Sequence, residues 1–558
     1  MKKGDILEGM ILRCDYPGKG ILISDGTQIS VKGAVPGQKV RVRIKKKNSS
    51  RCEAMLLDIL EHAENETESD CPHFPECGGC QFRMLPYEEQ AQMKSEQIRR
   101  LLEDALVDAP EGWYEGIRRS PDVTGYRNKM EFTFGDEYKD GPMSLGLHKK
   151  GSFYDIVNVS DCRIVDEDIR KIRRAVLEMA RESALPFFHR LTHRGYFRHL
   201  LVRKAKATGQ ILVDLVTTTQ IESAGTDASE VTCEMIEQRL TERLSALSLD
   251  GEITGILHTL NDSVADTIQS DETRLLSGVG YIEEELLGLR FQITPFSFFQ
   301  TNSRGAEVLY EAAREYIGET KDKVIFDLYS GTGTIAQILA PVAKHVTGVE
   351  IVEEAVEAAR RNARQNGLDN CDFICGDVLK VVDELKEKPD MIVLDPPREG
   401  IHPKAIPKIL RFGVDTIVYI SCKATSLKND LAALQAAGYR VKRACTVDLF
   451  PGTVHVETVC LLSKLSEAKN HISVKVDMDE MDVTAAESKA TYQEIQEWVQ
   501  EKYRFHVTHL NIAKTKRKCG IIERVNYNLP KSENSRSPET PKEKEEAIIE
   551  AFRHFQMI

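Results

Sequence analysis

With 558 residues, 41% hydrophobic and 29% charged, the chain describes an ordinary globular protein too long for a single hydrophobic core, so several domains are expected. No run reaches 18 apolar residues and the opening MKKGDILEGM lacks an apolar signal core, which predicts a cytoplasmic protein with no membrane partner. The net charge of −12 opposes a nucleic-acid partner only as a whole-chain sum, because charge of one sign is gathered in blocks.

Residues 1–60 alternate short Val/Ile-rich runs with Gly-Lys-Gly, Asp-Gly and Pro-Gly turns, the pattern of a small antiparallel β-barrel. KVRVRIKKKNSSR at 39–51 carries seven Lys or Arg and no acid, whereas DILEHAENETESD at 58–70 carries six acids and no Lys or Arg. A solvated edge strand would use such a run to resist aggregation. Turn spacing and charge clustering favour an oligonucleotide-binding (OB-like) barrel with a basic rim, which resembles a TRAM domain, the RNA-binding barrel found at the front of several RNA-modifying enzymes.

Residues 61–290 open on CPHFPECGGC, in which Cys71, Cys77 and Cys80 are separated by Pro and Gly turns, with a more distant partner at Cys162. Thirteen cysteines in an intracellular chain argue against a disulfide framework. Thiols spaced this way converge on a metal, and four thiolates suit zinc or an iron–sulfur cluster equally on spacing alone. Further on, HRLTHRGYFRHLLVRKAKATGQILVDLVTTT predicts a strand pair with a Gly turn in a basic central α/β domain lining an RNA cleft.

Residues 291–463 carry the strongest fold signal. VIFDLYSGTGTIAQILA at 324–340 runs from a strand through Gly331 and Gly333 to Ala336, matching G-x-G-x-x-A, and Glu350 ends the next strand 19 residues after Gly331. Further strands, CDFICGDV, MIVLDPPREG and TIVYIS, alternate with helical segments, which predicts a Rossmann-like doubly wound sheet with its ligand at the strand C-termini. The glycines alone fit a dehydrogenase as well. Asp395-Pro396-Pro397-Arg398 at a strand end does not, because methyltransferases of this fold line the substrate pocket with (Asp/Asn)-Pro-Pro.

Cys422 follows TIVYIS and precedes a helix starting near Thr425, a position that favours the thiolate. Carbon 5 of uracil attacks a methyl sulfonium only after a thiolate has added to carbon 6, and a base must then remove the carbon-5 proton to release the sulfur. Glu457, inside the apolar run VHVETVCLL, fits that base, because burial raises a carboxylate's pKa toward neutrality. A buried ion-pair partner is the alternative for Glu457.

Assembled, residues 1–463 resemble the bacterial RNA (uracil-5-)-methyltransferase family, in particular its 23S rRNA members with a TRAM barrel and a [4Fe–4S] cluster. The motifs that carry the resemblance are the cysteine spacing, YRNKMEFTF, ITPFSFFQTN, DLYSGTGT, DPPREG, ISC and FPGTVHVETV. The resemblance implies that Cys71, Cys77, Cys80 and Cys162 hold the cluster and that Gln300, Tyr329, Glu350, Asp377 and Asp395 contact S-adenosylmethionine. It also implies Cys422 as nucleophile, Glu457 as base and 23S rRNA as substrate, with tRNA as the alternative; a single copy of the chain is expected to act. A retired enzyme that only binds RNA would need neither Cys422 nor Glu457. The chain departs from the family where it reads Ser421-Cys422-Lys423-Ala424 in place of Ser-Cys-Asn-Pro.

The 95 residues from 464 to 558 extend past the resemblance. TYQEIQEWVQEKYRFHV predicts an amphipathic helix, IAKTKRKCGIIERVNYNLPKS a basic run leading into a strand, and EKEEAIIEAFRHFQMI a last helix. Helix, basic strand and helix fit a winged-helix-like appendage or a docking tail for a partner.

Overall fold

The Val/Ile-rich runs at the N-terminus form six strands, β1 (Ile6–Met10), β2 (Arg13–Asp15), β3 (Lys19–Ser24), β4 (Thr27–Lys32), β5 (Lys39–Lys47) and β6 (Cys52–Glu61). The computed structural model describes residues 1–48, 52–221, 231–264, 271–385, 387–464, 492–505, 507–519 and 541–555. Asp25 and Gly26, between β3 and β4, both take positive φ (48° and 71°), the turn that an Asp-Gly pair favours in a hairpin. The sheet order is β1-β5-β6-β4-β3-β2. It curls so that the Leu12 N–H donates to the Ile21 carbonyl, enclosing Ile11, Leu22, Ile29, Val31, Val40, Val42 and Ile44. On β5 the apolar Val40, Val42 and Ile44 alternate inward. Lys39 is paired with Glu61 and Arg41 with Glu8 and Asp58, whereas Lys45, Lys46 and Lys47 stand exposed.

After α1 (Tyr87–Glu103) and β7 (Tyr114–Arg118) come β8 (Lys129–Gly135), β9 (Ser144–His148), β10 (Ile156–Val157), α2 (Glu167–Glu182), β11 (Phe197–Lys204) and β12 (Gln210–Thr217). Next are α3 (Cys233–Ser245), β13 (Glu252–Leu260) and β14 (Glu272–Gly278). Seven of these strands form one sheet, β10-β9-β8-β11-β12-β13-β14. The expected pair β11/β12 is antiparallel around Gly209. Ile169, Ile172 and Val176 on α2 and Ile236, Leu240 and Leu244 on α3, each a one-sided helical stripe, cover a face of the sheet.

The hairpin β15 (Ile282–Leu286) and β16 (Leu289–Ile293) leads through α4 (Ser303–Ile317) into alternating elements. These are β17 (Thr320–Leu328), α5 (Thr334–Leu339), β18 (Ala343–Glu350), α6 (Glu353–Gln365), β19 (Cys371–Cys375), α7 (Val378–Val381), β20 (Met391–Leu394) and α8 (Ala405–Leu410). They continue with β21 (Thr416–Ser421), α9 (Ala424–Ala436), β22 (Tyr439–Val447) and β23 (Glu457–Lys464). The sheet order is β19-β18-β17-β20-β21-β23-β22-β7. The chain winds outward from β17 to β19 and then returns to β20, so a crevice opens at the C-terminal ends of β17 and β20.

Strand residues alternate between two layers. Ile325, Met391, Val393, Val418 and Ile420 pack with α4, α5 and α6, whereas Phe326, Leu328, Ile392, Leu394, Ile417 and Tyr419 pack with α1, α7, α8 and α9. The expected central region 61–290 is therefore not continuous. Ile98 and Leu102 of α1 join the second layer, and β7 pairs in parallel with β22, so this stretch belongs to the C-terminal sheet.

Residues Met1–Glu467 form one unit and Ala468–Ile558 a second. The second contains α10 (Tyr492–Tyr503), α11 (His509–Lys518) and α12 (Lys542–His554) around Ile495, Val499, Ile512, Ile548, Ala551 and Phe552. The basic run predicted to lead into a strand is itself the helix α11: Ala, Lys and Arg in IAKTKRK favour the helix, and Lys518 pairs with Glu545 of α12. The strand expected beyond Cys519 lies outside the described residues. No helix among the described residues is long and apolar enough to cross a membrane.

Candidate active site

Three predicted residues meet at the ends of adjacent strands. Asp395 follows β20, Cys422 follows β21, and Glu457 is the first residue of β23, not an interior one as the alternating run had implied. Strands β21 and β23 run antiparallel with Ser421 opposite Thr458, and one further step of that register sets Cys422 opposite Glu457. Residues directly opposite on an antiparallel pair share a face. Parity gives the same face for Asp395, because Val393, Ile420 and Val459, each two residues away along its strand, all pack in the α4 layer.

Burial and the charges of Glu457 and Asp395 push the Cys422 thiol up to about 11, while Arg398 pulls it down. The thiolate expected from the start of α9 is thus not the resting form. Lys423 at the helix N-cap supplies no side-chain bond, and burial together with two neighbouring acids outweighs the helix end. Burial holds Glu457, only 4% exposed, well above the usual carboxylate range, and Asp395 adds to this against the opposing pull of Arg398. Asp395 rises to about 7 through burial and the neighbouring Asp327. Arg398 thus opposes the upward shifts of Cys422 and Glu457, while burial keeps Glu457 and Asp395 above the usual carboxylate range.

The glycine turn builds the adjoining crevice. Tyr329 takes φ 70°, uncommon for a residue with a side chain, and Gly331 and Gly333 follow at 55° and 73°. A Cβ at Gly333 would stand 2.4 Å from the Phe373 ring, whereas one at Gly331 would meet open space. Glu350 accepts from Gly331 N–H (2.9 Å) through Oε2 and from Ile351 and Val352 N–H (2.9 Å each) through Oε1, which fixes the carboxylate at the turn. Asp377 caps α7 by accepting from Leu379 N–H at 2.9 Å and lies beside Tyr329. Gln300 reaches the buried Tyr310 hydroxyl, and its loop closes on the turn where Thr332 donates to the Phe298 carbonyl at 3.3 Å. Glu350, Tyr329 and Asp377 are thus grouped at the glycine turn, and the loop carrying Gln300 reaches it through Phe298.

The four predicted cysteine ligands are also brought together. Cys71, Cys77, Cys80 and Cys162 line a single pocket with Leu147, Val159 and Ile164, and none is in a disulfide. Their loop is tied to β9 by the Gly78 N–H on the His148 carbonyl (2.9 Å). It also grips the segment leading to Glu457. Gln81 and Phe82 N–H donate to the Gly452 carbonyl at 2.7 and 3.0 Å, and the Tyr126 hydroxyl donates to the Pro451 carbonyl at 2.9 Å. Beneath, buried Lys94 donates to Asp448 at 2.7 Å and to the Phe450 carbonyl at 3.0 Å.

Among the described residues, only Cys233, Glu237 and His258 bring three His, Cys, Asp or Glu donors within 4.8 Å of one another. The Arg274 guanidinium already reaches Glu237 at 3.3 Å and the Cys233 sulfur at 3.6 Å.

Sequence reasoning missed Asp327, Tyr310, Arg398 and Tyr16. Asp327 was legible as a lone acid in the apolar strand VIFDL; in the structure it is fully buried and accepts from Ser330 Oγ (2.9 Å) and Ala336 N–H (3.1 Å). Tyr310 is one of several apolar positions on an amphipathic helix, and its local sequence gives no sign that it faces Asp395 and Glu457. Tyr16 comes from a turn some 400 residues earlier.

A sequence profile of the tRNA (Uracil-5-)-methyltransferase family matches residues 86–465. An RNA methyltransferase of Clostridium tetani is 46% identical over 459 residues, covering 82% of this chain and 98% of that one. One from Caldanaerobacter subterraneus is 45% identical, covering 83% and 100%. The crystal structure of Pyrococcus abyssi tRNA (uracil-54, C5)-methyltransferase in complex with S-adenosyl-L-homocysteine superposes with a TM-score of 0.62 at 25% identity, over 82% of this chain and all of that one. The chain belongs to the tRNA (uracil-5-)-methyltransferase family and is an S-adenosylmethionine-dependent RNA methyltransferase.

Proposed function

We propose that the protein methylates carbon 5 of a uridine in 23S rRNA through a covalent cysteine–uracil intermediate. The placement of Cys422 opposite Glu457 carries this reading, since nucleophile and base must flank one pyrimidine ring. Cys422 loses its proton to solvent and its sulfur bonds to carbon 6, moving the carbon-5–carbon-6 π electrons through carbon 5 toward the carbon-4 oxygen. S-adenosylmethionine, which Gln300, Tyr329, Glu350, Asp377 and Asp395 would hold, would supply the methyl group to carbon 5 as its S–CH3 bond breaks and S-adenosylhomocysteine leaves. Glu457 then takes the carbon-5 proton, the C–S bond breaks, and the electron pair returns to sulfur. Arg398 favours the ionised forms of both groups.

Glu350 suits the cofactor's ribose, because three backbone N–H bonds fix its carboxylate while lone pairs remain for two hydroxyls. Cys71, Cys77, Cys80 and Cys162 suit a [4Fe–4S] cluster better than a single zinc ion. Zinc at ~2.3 Å from each sulfur would hold the thiols about 3.8 Å apart, yet no three of them lie within 4.8 Å of one another. Their grip on Gly452 points to a structural part for the cluster, holding the segment that carries Glu457.

The rRNA assignment rests on the resemblance through the barrel and the four cysteines. The tRNA reading is favoured by the Pyrococcus structure, all of which is covered by this chain. Anaerobically purified protein mixed with S-adenosylmethionine and 5-fluorouridine-containing 23S rRNA or tRNA transcripts separates them, because fluorine at carbon 5 cannot leave as a proton. A denaturing-gel adduct with 23S rRNA alone supports the proposal; an adduct with tRNA alone transfers it to tRNA, and none with either removes the covalent mechanism.

A further inference from the structure

The turn between β2 and β3, Tyr16-Pro17-Gly18, is wedged into the methyltransferase layer. Gly18 takes φ 62°, and a Cβ there would come within 2.5 Å of Val454 and 2.8 Å of the Phe82 ring. Its N–H donates to Gln97 of α1 at 2.9 Å, and Arg100 of α1 donates to the Cys14 carbonyl at 2.6 Å. The turn is therefore held between α1 and the segment that leads to Glu457. Half-buried Tyr16 packs on the layer containing α9. Its phenol oxygen faces the backbone N–H of Ala424, within the charge environment of Cys422, Glu457 and Arg398.

That N–H is a consequence of the chain's departure from Ser-Cys-Asn-Pro. A proline at the first helical position has no donor to place, whereas Ala424, 1% exposed, has one in a helix start that lacks a side-chain cap. A buried N–H needs a partner, and the Tyr16 phenol is brought to it.

We propose that Tyr16 is a positioning residue of the active site: its phenol receives the Ala424 N–H and holds the Cys422-Lys423-Ala424 loop in register with Glu457. The N-terminal sheet thus contributes a residue to the catalytic crevice. The inference rests on Cys422 as nucleophile, but its test does not need turnover.

The test is a double-mutant cycle with Tyr16→Phe and Ala424→Pro, read first as the rate of iodoacetamide alkylation of Cys422, followed by peptide mass spectrometry on the full-length holoprotein. Removing one hydroxyl that serves one N–H is expected to change the alkylation rate about fivefold, and this effect is expected to vanish in the Ala424→Pro background. Thermal melts of all four proteins show whether each is folded, and Tyr16→Leu serves as a second variant if Tyr16→Phe is not. An unchanged rate in Tyr16→Phe, or the same change in both backgrounds, overturns the proposal. The second reading is adduct formation with 5-fluorouridine RNA, in which Tyr16→Phe is expected to slow bond formation and leave RNA affinity unchanged. Alkylation coupling without any adduct in the unmodified protein would keep the positioning role and reject the covalent reaction; equal losses of RNA affinity and adduct rate would reduce Tyr16 to an RNA contact and overturn it.

Discussion

Cys422 and Glu457 sit at the end of the β21/β23 pair, one step beyond the last register partners Ser421 and Thr458. In the proposed cycle one group starts the reaction and the other ends it, so removing each should stop it at a different point. Cys422→Ala should give no protein–RNA adduct with any substrate. Glu457→Gln should still form the carbon–sulfur and carbon–methyl bonds, and with ordinary uridine it should accumulate a methylated adduct on a denaturing gel. Recovery of free methylated RNA from Glu457→Gln at an undiminished rate would remove Glu457 as the base.

The pH dependence follows from the same cluster. Burial and two acids push the Cys422 thiol up to about 11, and Glu457 also stands above its usual range. Thiolate attack and carboxylate action both need the deprotonated form, so both fractions grow as pH rises. The single-turnover adduct rate should therefore climb about tenfold per pH unit above pH 7, with no alkaline decline before pH 9. Asp395 raises both groups, so in Asp395→Asn the alkylation profile of Cys422 should move to lower pH. A wild-type profile already flat at pH 7 would mean that the resting thiol is ionised.

Most of the doubly wound sheet was legible, because apolar strands and amphipathic helices alternate with their own periods and the glycine turn marks the first crossover. Cys422 and Asp395 were legible as polar groups at the ends of apolar runs, and Glu457 as a lone acid within one. What sequence could not give was proximity. The thiol's protonation depends on Glu457 and Asp395 packing around it, and α1 with β7 joins a sheet whose partner strand β22 lies more than 300 residues later. The helix-end argument at Cys422 failed for the same reason: it weighed a local dipole without the distant carboxyls.

The two glycines of the turn should separate stability from cofactor binding. Gly333→Ala puts a Cβ against Phe373 and Ala359 at φ 73° and should destabilise the fold by about 1–3 kcal/mol in urea unfolding. Gly331→Ala meets nothing within 4 Å and should lose only about 1 kcal/mol. Its methyl group projects into the crevice, however, so calorimetric affinity for S-adenosyl-L-homocysteine should fall. Equal stability losses in the two variants would contradict this assignment of the turn's faces.

The grip of the cysteine loop on Gly452 yields a prediction about metal removal. Gln81 and Phe82 amides donate to the Gly452 carbonyl, while Lys94, buried in α1, holds Asp448 and the Phe450 carbonyl from below. The segment that leads to Glu457 is thus clamped from two sides, one depending on four thiols that the proposed cluster would draw together and the other on an ion pair that does not. Stripping the metal with a chelator under reducing conditions should release only the first clamp. Amide hydrogen exchange should accelerate at residues 81 and 82, which donate to the Gly452 carbonyl, and stay slow in α1, where Gln97 and Ile98 are buried in the layer beneath. Cys162→Ser should reproduce that pattern, because Cys162 lies outside the loop and can act on Gly452 only through the shared metal. Unchanged exchange at 81 and 82 after complete iron loss would show that the loop holds Gly452 without its metal, and would place the cluster's contribution elsewhere than at Glu457.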